Sequence, residues 1–358
     1  MRLAACRSVV LGTVMAASVA SLASAQAPSV TVGGVGYAQY LYQLHKDSVT
    51  NSNLNNFDVT RAYINVIGKF SSGVGARITP DIYRNTDGSL AFRLKYAYAS
   101  WTPEGSPLTL NLGQTQTPWL DWEEALWDYR MQGTMPLERF HSLTGAGYLS
   151  SSDFGFRVDG KFNLDMVNFQ VGVYNGETYN KAEGDQHKDL EGRLSVRVLE
   201  SDDHSRVGGL RLTAYAAVGK PTGGGRRNRF VGLVSYKSKL FTLGAEYARV
   251  SDSLSNGAPV TPVTPATPLV DGNIYSAYGV LNIPNSKVSV IGRFDLQDPS
   301  TKTTNDHQTR VIGGVAYQVN PNLRVLANID NLTLQSGVYS NAVQSTRTQG
   351  LLQMQVVF

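Results

Sequence analysis

The sequence predicts an all-β protein, a transmembrane up-and-down antiparallel β-barrel of about 16 strands. Three observations predict it. Segments of strand length alternate apolar and polar residues along nearly the whole chain. The connections between them alternate short and long. Past residue 25 there is no apolar run of about 18 residues, the length a spanning helix needs. The mildly polar mean hydropathy of −0.19 agrees, because only alternate residues of a barrel strand face lipid.

Taken in order, the chain opens with Arg2 and Arg7, an apolar run from Val9 to Leu22, and Ala23-Ser24-Ala25. This is the pattern of a secretory signal peptide over residues 1–25, leaving 26–358 for the barrel. Strands are expected at 30–44, 57–70, 73–83, 90–102, 107–116, 153–162, 166–175, 189–199, 207–219, 228–237, 240–250, 272–283, 286–296, 307–319, 322–334 and 345–358. Ala62, Ile64, Val66 and Gly68 share a face opposite Arg61, Tyr63, Asn65 and Lys69; Leu323, Val325, Ala327 and Ile329 oppose Arg324, Asn328 and Asp330. Short connections sit at 71–72, 103–106, 163–165, 200–206, 238–239, 284–285 and 320–321. The long ones lie at 45–56, 84–89, 117–152, 176–188, 220–227, 251–271, 297–306 and 335–344. An even strand count puts both ends on the short-turn rim. Tyr40, Tyr42, Tyr96, Tyr98, Tyr236, Tyr247 and Tyr317 are expected on the apolar face as interfacial girdles. Pro259, Pro262, Pro265 and Pro268 recur every three residues, but strand patterns resume after them, so they read as an external loop inside one domain. In the last strand Gly350, Leu352, Met354 and Val356 form the apolar face, and the chain ends on Phe358. That ending resembles the final strand of bacterial outer-membrane barrels, which implies recognition of Phe358 by the barrel-assembly machinery.

Composition excludes several functions. The single cysteine, Cys6, lies in the expected signal peptide, so no disulfide framework, zinc–thiolate centre or cysteine nucleophile is expected. Without Arg2 and Arg7 the formal charge falls from +4 to +2, too balanced for a nucleic-acid partner. The expected partners are outer-membrane lipid and small solutes or anions.

The third long connection, 117–152, carries the densest chemistry. Trp119, Asp121, Trp122, Glu123, Glu124, Trp127, Asp128 and Arg130 crowd behind Pro118, which can open a short helix with acids in its first turn. A connection so long and aromatic is expected to be functional rather than disordered. We expect residues 119–130 to form a constriction, the alternatives being a cap on the external mouth or a subunit contact. With the polar strand face turned inward, the pore-lining cations include Arg61, Arg77, Arg93, Lys95, Arg157, Arg193, Arg197, Arg211, Arg293, Arg310, Arg324 and Arg347. Adding Lys69, Lys161, Arg229 and Lys237 gives 16 inward cations. They face six inward acids: Asp81, Asp159, Glu191, Glu246, Asp295 and Asp330. A cationic wall around a narrow pore favours anions. The bland alternative is that these charges pair and only keep the pore wet.

Catalysis is poorly supported. His45, His141, His187, His204 and His307 all fall in expected loops or turns, without metal-binding spacing. Asp185, His187 and Asp189 read more simply as a solvated loop than as an ion site. Gly33-Gly34-Val35-Gly36 is followed by no helix, and Gly223-Gly224-Gly225-Arg226-Arg227 lacks the Lys-Ser/Thr of a phosphate loop. No cofactor, metal or catalytic residue is expected.

Several segments, in order, resemble the phosphate-selective porin O and P family. Phe57-Asp58-Val59-Thr60-Arg61-Ala62 is similar to its early Phe-Asp-x-x-Arg-Ala segment, and Gly113-Gln114-Thr115-Gln116-Thr117-Pro118 to its Gly-Gln-x-x-x-Pro. Ser152-Asp153-Phe154-Gly155-Phe156 resembles its Arg-Asp-x-Gly-x, and Val173-Tyr174-Asn175-Gly176 its x-x-Asn-Gly. The likeness spans roughly 57–176 and the carboxyl end; between 200 and 340 only the pattern matches. It implies a sixteen-stranded homotrimeric channel. Phosphate specificity is not implied, because Ser152 replaces the family arginine and the third loop is acidic rather than basic. The function expected is passive diffusion of small hydrophilic solutes with an anion preference. The alternatives are a substrate-specific channel for phosphate or another anion, and an outer-membrane enzyme or structural barrel.

Overall fold

The computed structural model describes residues 27–45, 53–141, 147–221, 225–253, 269–336 and 345–358. The expected signal peptide and the proline-rich stretch around 259–268 lie outside the described residues. The described chain forms β1 (Ser29–His45), β2 (Asn55–Lys69), β3 (Val74–Arg84), β4 (Leu90–Trp101), β5 (Leu108–Gln116), β6 (Ser152–Phe162), β7 (Val167–Tyr174) and β8 (Asp189–Leu199). It continues as β9 (Gly209–Gly219), β10 (Arg227–Lys237), β11 (Phe241–Ser253), β12 (Leu269–Asn282), β13 (Val288–Asp298), β14 (Gln308–Asn320), β15 (Leu323–Leu334) and β16 (Ser345–Val357). Between β5 and β6 lie the short helices α1 (Leu120–Trp127) and α2 (Pro136–Arg139). All strand ends fall within three residues of expectation, and β1 runs one residue on to take in His45, which was expected in a loop.

Each strand pairs antiparallel with its chain neighbours, and β1 pairs with β16 to close the barrel. Closure leaves no strand without a neighbour on either side, which keeps the sheet from presenting an open edge to lipid, although β2 and β3 pair only over Val66–Lys69. At the seam the Gly34 amide donates to the Phe358 carbonyl at 2.8 Å, and the Phe358 amide returns a bond to Gly34 at 3.1 Å. The alternation sorts side chains as the sequence predicts. On β10, Phe230, Val234 and Tyr236 point out, while Arg229, Val231, Leu233 and Ser235 point in and are buried.

One bulge changes the inner surface. Pro80 has no amide to give the ladder, and the β3–β4 register slips there: Thr79 faces Tyr96 while Pro80 faces Leu94, leaving Lys95 as the extra residue. Lys95 and Tyr96 therefore both turn inward, and the alternation resumes from Tyr96 in the opposite phase. Tyr96 and Tyr98, expected on the outer girdle, stand opposite the inward Thr79 and Arg77. Period-two reasoning placed them outside because it cannot register an inserted residue.

The buried core lies inside the barrel. Trp119, Trp122 and Trp127 are fully buried against inner-wall residues that include Val231, Leu233, Ala248, Val250, Ile274 and Ile291. Trp119 meets Tyr215 at 5.6 Å and Trp127 meets Tyr278 edge-on at 5.6 Å. Each buried indole hides roughly 200 Å², so three of them outweigh the ~1 kcal/mol of any one hydrogen bond holding the same segment.

Candidate functional site

The β5–β6 connection lies against the inner wall from β8 round to β16. Helix α1 starts two residues after Pro118, carries Asp121 and Glu123 in its first turn, and stops where Asp128 adopts a left-handed φ of 58°. Its anchors are mostly wall cations donating to loop carbonyls. On β8, Arg193 Nε donates to Pro118 O at 3.1 Å, and its guanidinium sits 3.9 Å from the Trp122 ring centre. Lys237 Nζ reaches Ala125 O at 3.1 Å, Arg293 Nη1 reaches Thr134 O at 3.0 Å, and Arg229 Nε reaches Tyr148 O at 3.0 Å. Arg324 takes both the carbonyl (2.8 Å) and the carboxylate (3.1 Å) of Asp128. From the β8–β9 turn, Arg206 does the same for Asp121, at 2.6 and 2.7 Å. Gln353 Nε2 donates to Met131 O at 2.7 Å. Asp330 accepts from Gln132 at 3.1 Å and Arg139 at 3.3 Å, and also pairs with Arg310.

These contacts decide what the expected pore cations do. Arg157, Arg193, Arg211, Arg293 and Arg310 are buried rather than open to the lumen. Arg157 pairs with Asp159 and Arg293 with Asp295, at 2.9 and 2.7 Å. Arg211 bonds the carbonyls of Gly208 and Asp165, and Arg197 pairs with Glu200. Arg347 is half-buried on β16, where its charge acts on Asp330.

The opposite wall, β2 to β4, is different. Arg61, Arg77 and Arg93 project from it half-buried, Lys95 is buried among them, and among the described residues none of the four makes an ion pair with a carboxylate. They are held by neutral groups. Arg77 donates to Asn65 Oδ1 (2.8 Å) and Thr79 Oγ1 (3.0 Å), and lies 4.6 Å from the Tyr96 ring centre. Arg61 and Lys95 both donate to the Tyr63 hydroxyl, Lys95 at 2.7 Å. Arg93 donates to the Tyr179 hydroxyl at 2.6 Å, from a loop that reaches in between β7 and β8. Asp81 on β3 is buried beside them without an ion pair.

Facing this wall, the loop presents Glu124, Arg130 and Glu138. Arg130 pairs with Glu124 and, at 3.0 Å, with Glu138. Burial alone would raise Glu138, but Arg130, and then Lys95 and Arg61 from the wall, hold it below the usual carboxylate range. Asp121 is depressed in the same way, with Arg206 outweighing burial. Glu123 points the other way, into the packing behind the loop; burial, then the charge of Glu246, pushes it well above its ordinary value. Beneath the loop, on the short-turn side, lies a cavity of about 400 Å³ lined by Asp128, Lys237, Lys239, Lys287 and Arg324 among others.

Sequence reasoning missed Tyr96, Tyr98 and Tyr179, and the loop partners Arg206, Glu138 and Arg139. Pro80 within a strand was the available signal for the first two; nothing local marks the others. Asp185, His187 and Asp189, read from the sequence as a solvated loop rather than an ion site, do not converge on one point. His187 Nδ1 stands 3.2 Å from Asp185, but Asp189 turns away to pair with Arg227 at 2.8 Å.

A closed sixteen-stranded barrel with a connection seated in its own lumen is the architecture of a membrane channel. The chain belongs to the Gram-negative porin family, whose sequence profile matches residues 12–335, and its place is the bacterial outer membrane. Solved structures with the same fold include an anion-selective porin from Comamonas acidovorans (TM-score 0.66, 14% identity, 92% of this chain and 100% of that one). Others are a loop-deletion mutant of the Vibrio cholerae outer membrane protein OmpT (0.63, 11%, 93% and 100%) and Salmonella typhi OmpF bound to daunomycin (0.62, 11%, 92% and 97%). No curated protein sequence matches the chain significantly.

Proposed function

We propose that this porin is a passive diffusion channel for small hydrophilic solutes that prefers anions. Its eyelet would lie between the β5–β6 loop and the β2–β4 wall. The observation that carries the reading is the division of the cations. Those of β6 and β8–β15 are mostly spent on ion pairs and loop carbonyls, whereas among the described residues Arg61, Arg77, Arg93 and Lys95 have no carboxylate partner. Counting Asp81 with them, and Glu124, Arg130 and Glu138 opposite, the opening carries an excess of two positive charges. Water-filled openings with a fixed cationic lining favour anions.

The test is the zero-current potential of the refolded protein in a planar bilayer under a potassium chloride gradient. A chloride-favouring potential is expected; a potassium-favouring one removes the anion preference. Phosphate specificity, the narrower reading suggested by the likeness to the phosphate-selective porins, predicts that phosphate blocks chloride current at concentrations where sulfate does not. The reading involves no catalysis, and hydrolase activity in the folded protein would count against it. A homotrimer is part of the proposal, supported by a Vibrio cholerae OmpT structure described as a trimer form and tested by cross-linking in detergent. So is the role of Phe358 as the assembly signal, which its removal should expose as a loss of membrane insertion.

A further inference from the structure

Away from the lumen, the outer end of the β13–β14 hairpin brings together Asp298, Asp306 and His307. We propose that these three form a divalent-metal site of the kind that takes a first-row transition ion, for which zinc is the probe. Topology sets two of the ligands side by side. The last paired residues of β13 and β14 are Gln297 and Gln308, so Asp298 and His307 are the next facing positions on the two strands. The connection then returns Asp306 between them, after a left-handed turn at Asn305 (φ 62°).

The ligand atoms of the three residues all lie within 4.8 Å of one another, and His307 Nε2 stands 3.9 Å from Asp298 Oδ2. Ligands about 2.0–2.2 Å from zinc stand roughly 3.4 Å apart in a tetrahedron, so the widest gap closes with about 1.4 Å of side-chain movement. The scaffold is held from outside the cluster. Ser300 N donates to Asp298 Oδ1 at 3.2 Å, leaving Oδ2 for the site. Gln335, beyond β15, fixes the His307 backbone through two bonds of 3.0 Å, leaving its imidazole free to turn.

The independent sign of a ligand is Asp306. It is only 2% exposed, yet neither carboxylate oxygen has a hydrogen-bond partner, although the amides of Ser300 and Asp306 itself face it. Among the described residues no lysine or arginine pairs with Asp298 or Asp306. A buried carboxylate without a counter-charge is costly, and a bound cation removes the cost. The donor set decides the class: an imidazole with two carboxylates suits zinc or its neighbours, whereas calcium and magnesium prefer oxygen ligands throughout. Three protein ligands leave a fourth position for water. Bound metal would tie the outer ends of β13 and β14 to the loop between them.

The test is zinc binding to the refolded full-length protein in detergent, measured by competition with a chromophoric chelator. The expected result is one site per chain, weakened at least tenfold by both Asp306→Asn and His307→Ala, with single-channel conductance of both variants at the wild-type value showing that the barrel is intact. His187→Ala should keep the site. Wild-type protein without stoichiometric zinc, or zinc affinity unchanged in either variant, overturns the proposal. Calcium binding that outcompetes zinc and survives His307→Ala overturns the transition-metal assignment. Should Asp306→Asn fail to fold, His307→Gln decides the same question from the exposed side of the site.

Discussion

If the channel prefers anions through the β2–β4 wall as proposed, removing cations from that wall should abolish the preference, and the size of the effect follows from simple electrostatics. The double substitution Arg61→Gln and Arg77→Gln deletes two half-buried charges that pair with no carboxylate among the described residues and are held by the neutral Tyr63 and Asn65. A unit charge about 6 Å from a permeating ion in a watery opening (ε about 80) interacts with it by about 0.7 kcal/mol. Screening over a Debye length of roughly 10 Å in 0.1 M salt leaves about 0.4 kcal/mol. The charge attracts chloride and repels potassium by the same amount, so each lost cation shifts the permeability ratio by about 0.8 kcal/mol, roughly fourfold. The excess of two positive charges thus corresponds to a ratio of about 15, and the double variant, with no excess, should fall close to unity. The assay is the zero-current potential in a potassium chloride gradient. The double variant Arg61→Lys and Arg77→Lys keeps the charge while changing the hydrogen bonds, and should keep the ratio. A Gln double variant within twofold of wild type would refute the reasoning, because selectivity would then not reside on this wall.

Three further outcomes are expected. Arg193→Ala combined with Arg206→Ala removes the Trp122 contact and the bonds to Pro118 and Asp121, so the loop should leave its seat and conductance should rise at least twofold, whereas unchanged conductance would mean that the tryptophans alone hold it. Glu123 has its carboxyl raised in the seated loop, so its contribution to seating is full below its ordinary value of 4.5 and is lost as pH rises through the shifted value; current noise should grow toward alkaline pH in the wild type and stay flat in Glu123→Gln. Gly113 sits at φ 127° with the Ala97 carbonyl 2.4 Å from where a Cβ would be, so Gly113→Ala should destabilise the barrel by about 2–3 kcal/mol in urea unfolding, and a variant as stable as wild type would contradict the backbone geometry.

The strands were legible because the lumen is wet. A polar interior and a lipid exterior force a strict two-residue period, and the short-long phase of the connections follows from having two different rims. The seat of the third loop was less legible. Pro118 and the tryptophans announced a helix and something to bury it against, but the inner-wall patch that receives them, including Val231, Val250, Ile274 and Ile291, is spread over β10 to β13. The ion pairs were illegible for the same reason. Arg206 meets Asp121 across 85 positions and Gln132 meets Asp330 across 198, distances at which no periodicity carries information. The mistake over Tyr96 and Tyr98 had a local cause, the residue inserted at Lys95 opposite Pro80.

The fate of the sixteen inward cations shows why a charge count overstates selectivity in a barrel of this kind. A connection folded into the lumen brings backbone carbonyls away from water, and each must find a donor there. Arginine offers five N–H donors on a long stem and tolerates burial when paired, so it is suited to that task. Pro118, Thr134 and Tyr148 accept from Arg193, Arg293 and Arg229, and the carbonyl of Asp128 accepts from Arg324. Those arginines answer a need created by the loop, and they would be required whatever the channel conducts. On the proposed reading, selectivity is left to the stretch of wall that these anchors do not reach. There the cations lean on tyrosine, asparagine and threonine, groups that orient a charge without cancelling it. A porin can therefore be rich in inward arginine and still be indifferent to the sign of its solute, or be selective through four residues, and only the location of the loop distinguishes the two.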